Sequence, residues 1–228
     1  MVNPASRSSA DLLVVAITCF AAVLAFRPIG EQLARAPASM RVYALLAMQF
    51  AAAGAAPAAL VALRAEPLSA YGLTCVRLVQ SLALGVALAS AYLTALSLTT
   101  GTVLLVPFGR HGVLRLALAL PGAGGVIAPV LVVAVWGVAE GLFGVYFSAK
   151  AAEVAAALGL RGAPLVGALA FGTFNGLLHV AVGQGPHGFW TSGLSGTFVG
   201  LIPALTGNAW GGVLVQVLTN AAGPIANR

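Results

Sequence analysis

Apolar runs of roughly twenty residues recur along the chain, separated by short stretches that carry Arg, Pro, Gly or Ser. A run of that length crosses a bilayer as an α-helix. The pattern predicts spans near 11–28, 42–63, 76–98, 126–148, 163–182, 192–206 and 209–225. Residues 102–124 are ambiguous: the stretch is apolar but interrupted by Pro107, Arg110, His111 and Arg115. It reads as a broken or re-entrant span, or as an amphipathic helix lying in the interface. Nowhere does the sequence alternate with the period of two that marks a membrane barrel. Backbone groups in lipid must then be satisfied within helices. The expected fold is an all-α polytopic transmembrane bundle of seven spans, or eight if 102–124 crosses.

Composition fixes the solvent. The chain is 60% hydrophobic and 7% charged, with a mean hydropathy of +1.01, which leaves too little charge to cover a water-soluble surface. The N-terminus places Arg7 before an apolar run, as a signal peptide does, but the run reaches Phe26 at spanning length and reads as a retained first span. The net charge of +6 comes from cations scattered over loops and divided almost equally between the two predicted sides. It argues for helix ends near lipid headgroups and against nucleic acid, and gives no orientation. Cys19 and Cys75 read as small apolar packers. With no CxxC and no HExxH, no metal and no cofactor are expected. Trp136, Trp190 and Trp210 fall near predicted span ends, as an aromatic belt would. No internal repeat is visible, which weakens a transporter reading.

Polarity at membrane depth is uneven. The first three spans carry only weakly polar groups such as Thr18, Gln49 and Gln80, whereas the later ones carry Glu140, Asn175, His179, Gln216 and Asn220. Asn175 and His179 are four apart, as are Gln216 and Asn220, so each pair shares a helix face. An ionisable group in a bilayer costs about 3 kcal/mol or more on insertion scales, so Glu140 and His179 should face each other or a wet cavity. Interhelical hydrogen bonding is the bland alternative for each amide. Gly137 and Gly141 frame Glu140 in a GxxxG, a sign of close helix packing. His187, in GQGPHGFW, reads as a loop residue.

These segments resemble the CPBP (CAAX prenyl protease and bacteriocin-processing, or Abi) family. Its three signatures are Glu-Glu-x-x-x-Arg, Phe-x-x-x-His and His-x-x-x-Asn; the chain offers AEGLFG (139–144), NGLLH (175–179) and QVLTN (216–220). TGNAWGGVLVQVLTN (206–220) is similar to the family's closing segment, and LSAYGLT (68–74) to the short element before its core helices. The resemblance covers about residues 68–222. It implies two N-terminal transmembrane helices in 1–67, packed outside a CPBP-like core in 68–228 that alone holds the pocket. It also implies a setting in a bacterial plasma (inner) membrane. In the family a Glu and a His activate water, and the last His and Asn hold the oxyanion. The equivalent positions are Glu140, His179, Gln216 and Asn220.

The departures are Ala139 for the first Glu, Gly144 for the Arg, Asn175 for the Phe and Gln216 for the last His. Gln216 keeps an amide N–H. Ala139 removes the expected base, and Glu140 is a poor substitute, since adjacent helical residues point about 100° apart. Loss of a general base typically costs 10²–10⁴ in rate, as an order of magnitude. The expectation is a catalytically degenerate member that acts as a binding or assembly subunit beside another membrane protein. The alternatives are an active glutamate-dependent intramembrane endopeptidase, and a transporter or channel subunit with a Glu140–His179 proton relay.

Overall fold

The structure is a computed structural model that describes residues 4–105 and 112–224, so the expectations for Pro107, Arg110 and His111 lie outside the described residues. Helices dominate. α1 (Pro4–Leu33) is followed by α2 (Ala38–Gln49), which runs through a π-helical turn at Phe50–Gly54 into α3 (Ala55–Arg64). A 3₁₀ turn (Leu68–Tyr71) leads to α4 (Leu78–Thr100), and then come α5 (Gly112–Leu118) and α6 (Gly124–Val132). A second π segment, Val133–Ala139, joins α6 to α7 (Glu140–Ala157). α8 (Ala163–His179), a turn at Val180–Gln184, α9 (Gly185–Thr206) and α10 (Trp210–Ala221) complete the bundle. Leu104–Leu105 and Gly223–Pro224 form a two-residue antiparallel bridge.

Five helices among the described residues are long and apolar enough to cross a membrane: Ser6–Leu33, Ala38–Arg64, Leu78–Thr100, Gly124–Ala157 and Ala163–Thr206. Their outer faces carry Leu13, Val79, Leu98 and Val126 at 60–81% exposure, a lipid-facing coat rather than a water-facing one. The chain is an integral membrane protein. One predicted span differs from expectation. The stretch 209–225 yields only the 12 residues of α10, about 18 Å long against a hydrocarbon core of about 30 Å. In 102–124, the described part of the chain forms the short α5 rather than a spanning helix.

The fifth apolar helix is bent back on itself. Gly183 (φ 89°) breaks the helical path, and α9 then runs antiparallel to α8. Small residues let the two backbones touch: a Cβ on Gly172 would strike Thr197 and Gly193, one on Gly176 would strike Phe189, and one on Gly200 would strike Ala168. Dispersion contacts at such distances are what holds helices together in lipid.

α10 lies inside, against α4, α7 and α9. The two short motifs 68–74 and 206–210 lock it there. Asn208 is fully buried; its Nδ2 donates to the carbonyls of Thr74 (2.7 Å) and Val76 (2.8 Å), and its Oδ1 accepts from Trp210 N (3.0 Å) at the start of α10. Gly72, at φ 73°, lets its carbonyl accept from Ala209 N at 2.9 Å. A Cβ there would meet the Ala209 and Gly207 backbone at 3.1 Å. Ser81 of α4 donates to the Asn208 carbonyl and accepts from Gly211 N. Orphan N–H groups at the α10 N-terminus are thereby satisfied from other elements.

The N-terminal helices are bound into the core by charge. Arg64 pairs with buried Asp11 at 2.8 Å. Lys150 of α7, 3% exposed, pairs with Glu66 (2.9 Å) and Glu153 (3.3 Å), and its ammonium lies over the rings of Tyr71 and Tyr146. Ser8 donates to Glu153, Tyr71 donates to Glu66, and Arg7 stands 3.6 Å from Glu66. Polar groups in α1 are therefore stronger than the sequence pattern suggested, because Asp11 sits within the first span.

Candidate functional site

Glu140 opens α7 immediately after the π segment Val133–Ala139. A π bulge inserts an extra residue and rotates the helix beyond it, and such bulges are frequent at functional sites. Asn175 and His179 occupy the last two turns of α8, and Gln216 and Asn220 lie on α10. Asn220 Nδ2 donates to the Glu140 carboxylate at 3.1 Å and to the Trp136 carbonyl at 2.5 Å. That carbonyl lies inside the π segment, where the backbone ladder is irregular. The Gln216 side chain also lies beside the Glu140 carboxylate. Asn175 Nδ2 donates to the Ser192 carbonyl of α9 (2.9 Å).

His179 Nδ1 is 2.9 Å from Gln184 Oε1. An amide oxygen only accepts, so Nδ1 donates the proton in this pair.

Two adjoining cavities of 190 Å³ each surround these groups. Glu140 lines one and Gln216 the other, while Asn175, His179, Gln184 and Asn220 line both. The structure thus brings together all five polar residues singled out in the later spans.

Three expectations change. The N-terminal spans do not leave this pocket to later helices: Cys19 and Val23 of α1 and Gln49 of α2 line the same cavity as Glu140 and His179. The reason is the charge cluster described above, which pulls α1 against α7. Trp136 is 9% exposed and packs with Val42, Leu46 and Ala128, so it belongs to the core and not to an interfacial belt. His187 lies in the first turn of α9, where its carbonyl accepts from Thr191, not in a loop.

The neighbourhood of the missing acidic residue is informative. Ala139 faces a separate cavity of 490 Å³ with Phe50, Leu142, Phe143 and Tyr146 on its walls. Glu140, not its neighbour, is the position turned toward His179 and Asn220. The 100° offset between adjacent residues therefore counts in favour of Glu140. Gly144 has no room for a larger side chain: a Cβ would lie within 3 Å of Phe171 and Val199.

Residues absent from the sequence reading also line the site: Tyr92 on α4, Gln184 in the turn, and Ser192, Ser195 and Thr219. The only sequence signal for Gln184 was its place between two glycines in an otherwise apolar stretch. Chemically, the site offers a carboxylate, an imidazole and several amides. These groups suit proton transfer or the binding of a polar ligand. Compared with family models, curated proteins and solved structures, the chain has no significant match.

Proposed function

We propose that this chain is a CPBP-like membrane protein of the bacterial plasma membrane. In it, the family's catalytic constellation has become a binding site, and the protein acts as a binding or assembly subunit. Counting α8 and α9 as two crossings and α10 as a short seventh gives the seven spans of such a bundle. One observation carries the reading: both amide hydrogens of Asn220 are committed, one to the Trp136 carbonyl and one to Glu140. An oxyanion hole needs donors preset toward a substrate oxygen. Here the donor equivalent to the family's Asn holds the protein's own carboxylate.

The second reading, a working endopeptidase, is favoured by the common cavity of Glu140 and His179, where a carboxylate and an imidazole could activate one water. A single experiment separates them. The purified chain and its Glu140→Gln variant are incubated in proteoliposomes with a tagged membrane-spanning peptide. No cleavage by either, with stoichiometric recovery of a second membrane protein on purification from native membrane, supports the binding reading. Cleavage by the native chain that Glu140→Gln abolishes, with folding intact, establishes the endopeptidase instead.

A further inference from the structure

The two cavities around Glu140 and Gln216 continue into a third. It measures 230 Å³, lies between α1 and α2, and shares Val23, Gln49, Ala52, Trp136 and Val182 with the cavity that Glu140 lines. The three stand in series and change character along the way. The outer one is walled by Val23, Phe26, Leu45, Met48 and Trp136, with Gln49 as its one amide. Val182, also on its wall, is 44% exposed. All its walls belong to segments long and apolar enough to cross a membrane, so the open side of this vestibule faces lipid tails. The inner two cavities mix both kinds of hydrogen-bonding group. Gln49 and Gln184 bring amide N–H groups, and Ser192 a hydroxyl. Glu140 brings a carboxyl group, and Gln216, 4% exposed, has its Oε1 buried with no hydrogen-bond partner among the described residues. A buried acceptor without a donor is rare and costly. No Lys or Arg among the described residues lines any of the three cavities.

We propose that these cavities bind a single-chain lipid with an uncharged, hydroxylated head, admitted sideways from the bilayer between α1 and α2. The head lies among the inner polar groups and the chain runs out along the vestibule. Each hydroxyl is one donor and two acceptor lone pairs. A glycerol-like head can therefore give to Glu140 and to Gln216 Oε1 while accepting from the amides of Gln49 and Gln184. Charged heads match less well. An ammonium only donates, which leaves the amide N–H groups unanswered. A carboxylate or phosphate would be buried beside Glu140 with no cation on the walls, and an unpaired buried charge is costly. The inner cavities, at 190 Å³ each, have room for a three-carbon head together with water. The chain gains little by leaving one apolar medium for another, so the head decides the affinity. The inference rests on the reading of the site as a binding site rather than a hydrolytic one, and it names that site's ligand class.

Trp136 lines both the vestibule and the Glu140 cavity, so its fluorescence reports occupancy. Trp190→Phe with Trp210→Phe leaves it the only tryptophan of the chain. The full chain with those two changes is placed in proteoliposomes, and a monoacylglycerol brominated on its chain is added, bromine being a contact quencher of indole. The same brominated chain ending in a carboxylate or in a trimethylammonium group serves as comparison. The monoacylglycerol should quench saturably, and its unbrominated form should restore the signal. The other two should quench only in proportion to their amount in the bilayer. Gln216→Met should weaken the saturable binding by about fivefold, the worth of one neutral hydrogen bond. Val23→Phe, which narrows the vestibule, should weaken it as well. If Val23→Phe fails to fold, Gln216→Met carries the test alone. Quenching that is merely proportional for all three lipids, or saturable alike for all three, overturns the proposal. So does saturation that neither variant alters. Cleavage of a membrane peptide by the same proteoliposomes would overturn the binding reading itself, and is scored separately from the quenching.

Discussion

At the scale of single residues, Asn208 and Glu140 show opposite uses of polarity in lipid. Asn208 is spent wholly on structure. Its three side-chain hydrogen bonds tie the 74–76 turn to the first turn of α10. Asn208→Ala would leave two carbonyls and one N–H unsatisfied in the interior. At about 1 kcal/mol or more for each such group, the loss should be at least about 3 kcal/mol. Asn208→Asp should also destabilise, since it keeps the acceptor for Trp210 N but sets a carboxylate oxygen against two carbonyls. Both are measured as a lowered unfolding midpoint in detergent. Asn220→Leu should lower stability less, by about 1–3 kcal/mol, because it frees one backbone carbonyl and one carboxylate contact. A larger loss for Asn220→Leu than for Asn208→Ala would contradict this ranking.

At the scale of elements, close helix crossings decide which faces can meet. α4 and α10 approach so closely that a Cβ on Gly85 would lie 2.5 Å from the Gly211 carbonyl oxygen. Nothing lies within 4 Å of a Cβ on Gly30, near the end of α1. Gly85→Ala should therefore destabilise the bundle, with overpacking costs of about 1–3 kcal/mol. Gly30→Ala should leave it unchanged or raise stability by up to about 1 kcal/mol through helix propensity. Thermal unfolding of both variants in one detergent checks the contrast. Helix positions were legible in the sequence because apolar length alone sets them. The i, i+4 spacing likewise made the convergence of Asn175 with His179 and of Gln216 with Asn220 legible. The fold-back at Gly183 and the shortness of α10 were not, since hydropathy sees neither a φ of 89° nor a helix enclosed by its neighbours. The same blindness hid the π segment before Glu140, and with it the direction in which that side chain turns.

At the scale of the whole molecule, the charge cluster joining α1, α3 and α7 explains why the N-terminal helices became a wall of the site. Sequence reading treated Arg7, Arg64 and Lys150 as solvated helix ends, because a pairing across 53 or 84 positions leaves no local pattern. Glu66 sits at its centre, facing Arg7 from α1, Tyr71 from the 3₁₀ turn and Lys150 from α7. Burial pushes its carboxyl up, but the hydrogen bonds from Tyr71 and Lys150 and the nearby positive charges outweigh that and hold it below the usual carboxylate value. A carboxyl lowered by folding contributes stability that is complete above its unfolded value, about 4.3, and is lost as pH falls through its lower folded value. Acidification should therefore loosen the junction of α1 and α3 with α7. A disulfide-free reporter of that junction is cross-linking between an engineered Ser8→Cys and an engineered Glu153→Cys, whose native side chains touch. Its yield at fixed thiol reactivity should fall as pH drops below about 4 in this background. With Glu66→Gln added, the yield should be low already at neutral pH and change little with acid. Lys150→Met should go further and destabilise the whole chain, by about 1–3 kcal/mol, because it leaves the half-buried Glu66 with one fewer charged hydrogen bond. Lys150→Met combined with Glu66→Gln should recover part of that loss. A double variant as unstable as Lys150→Met alone would show that the lysine acts through its packing on Tyr71 and Tyr146 rather than through its charge.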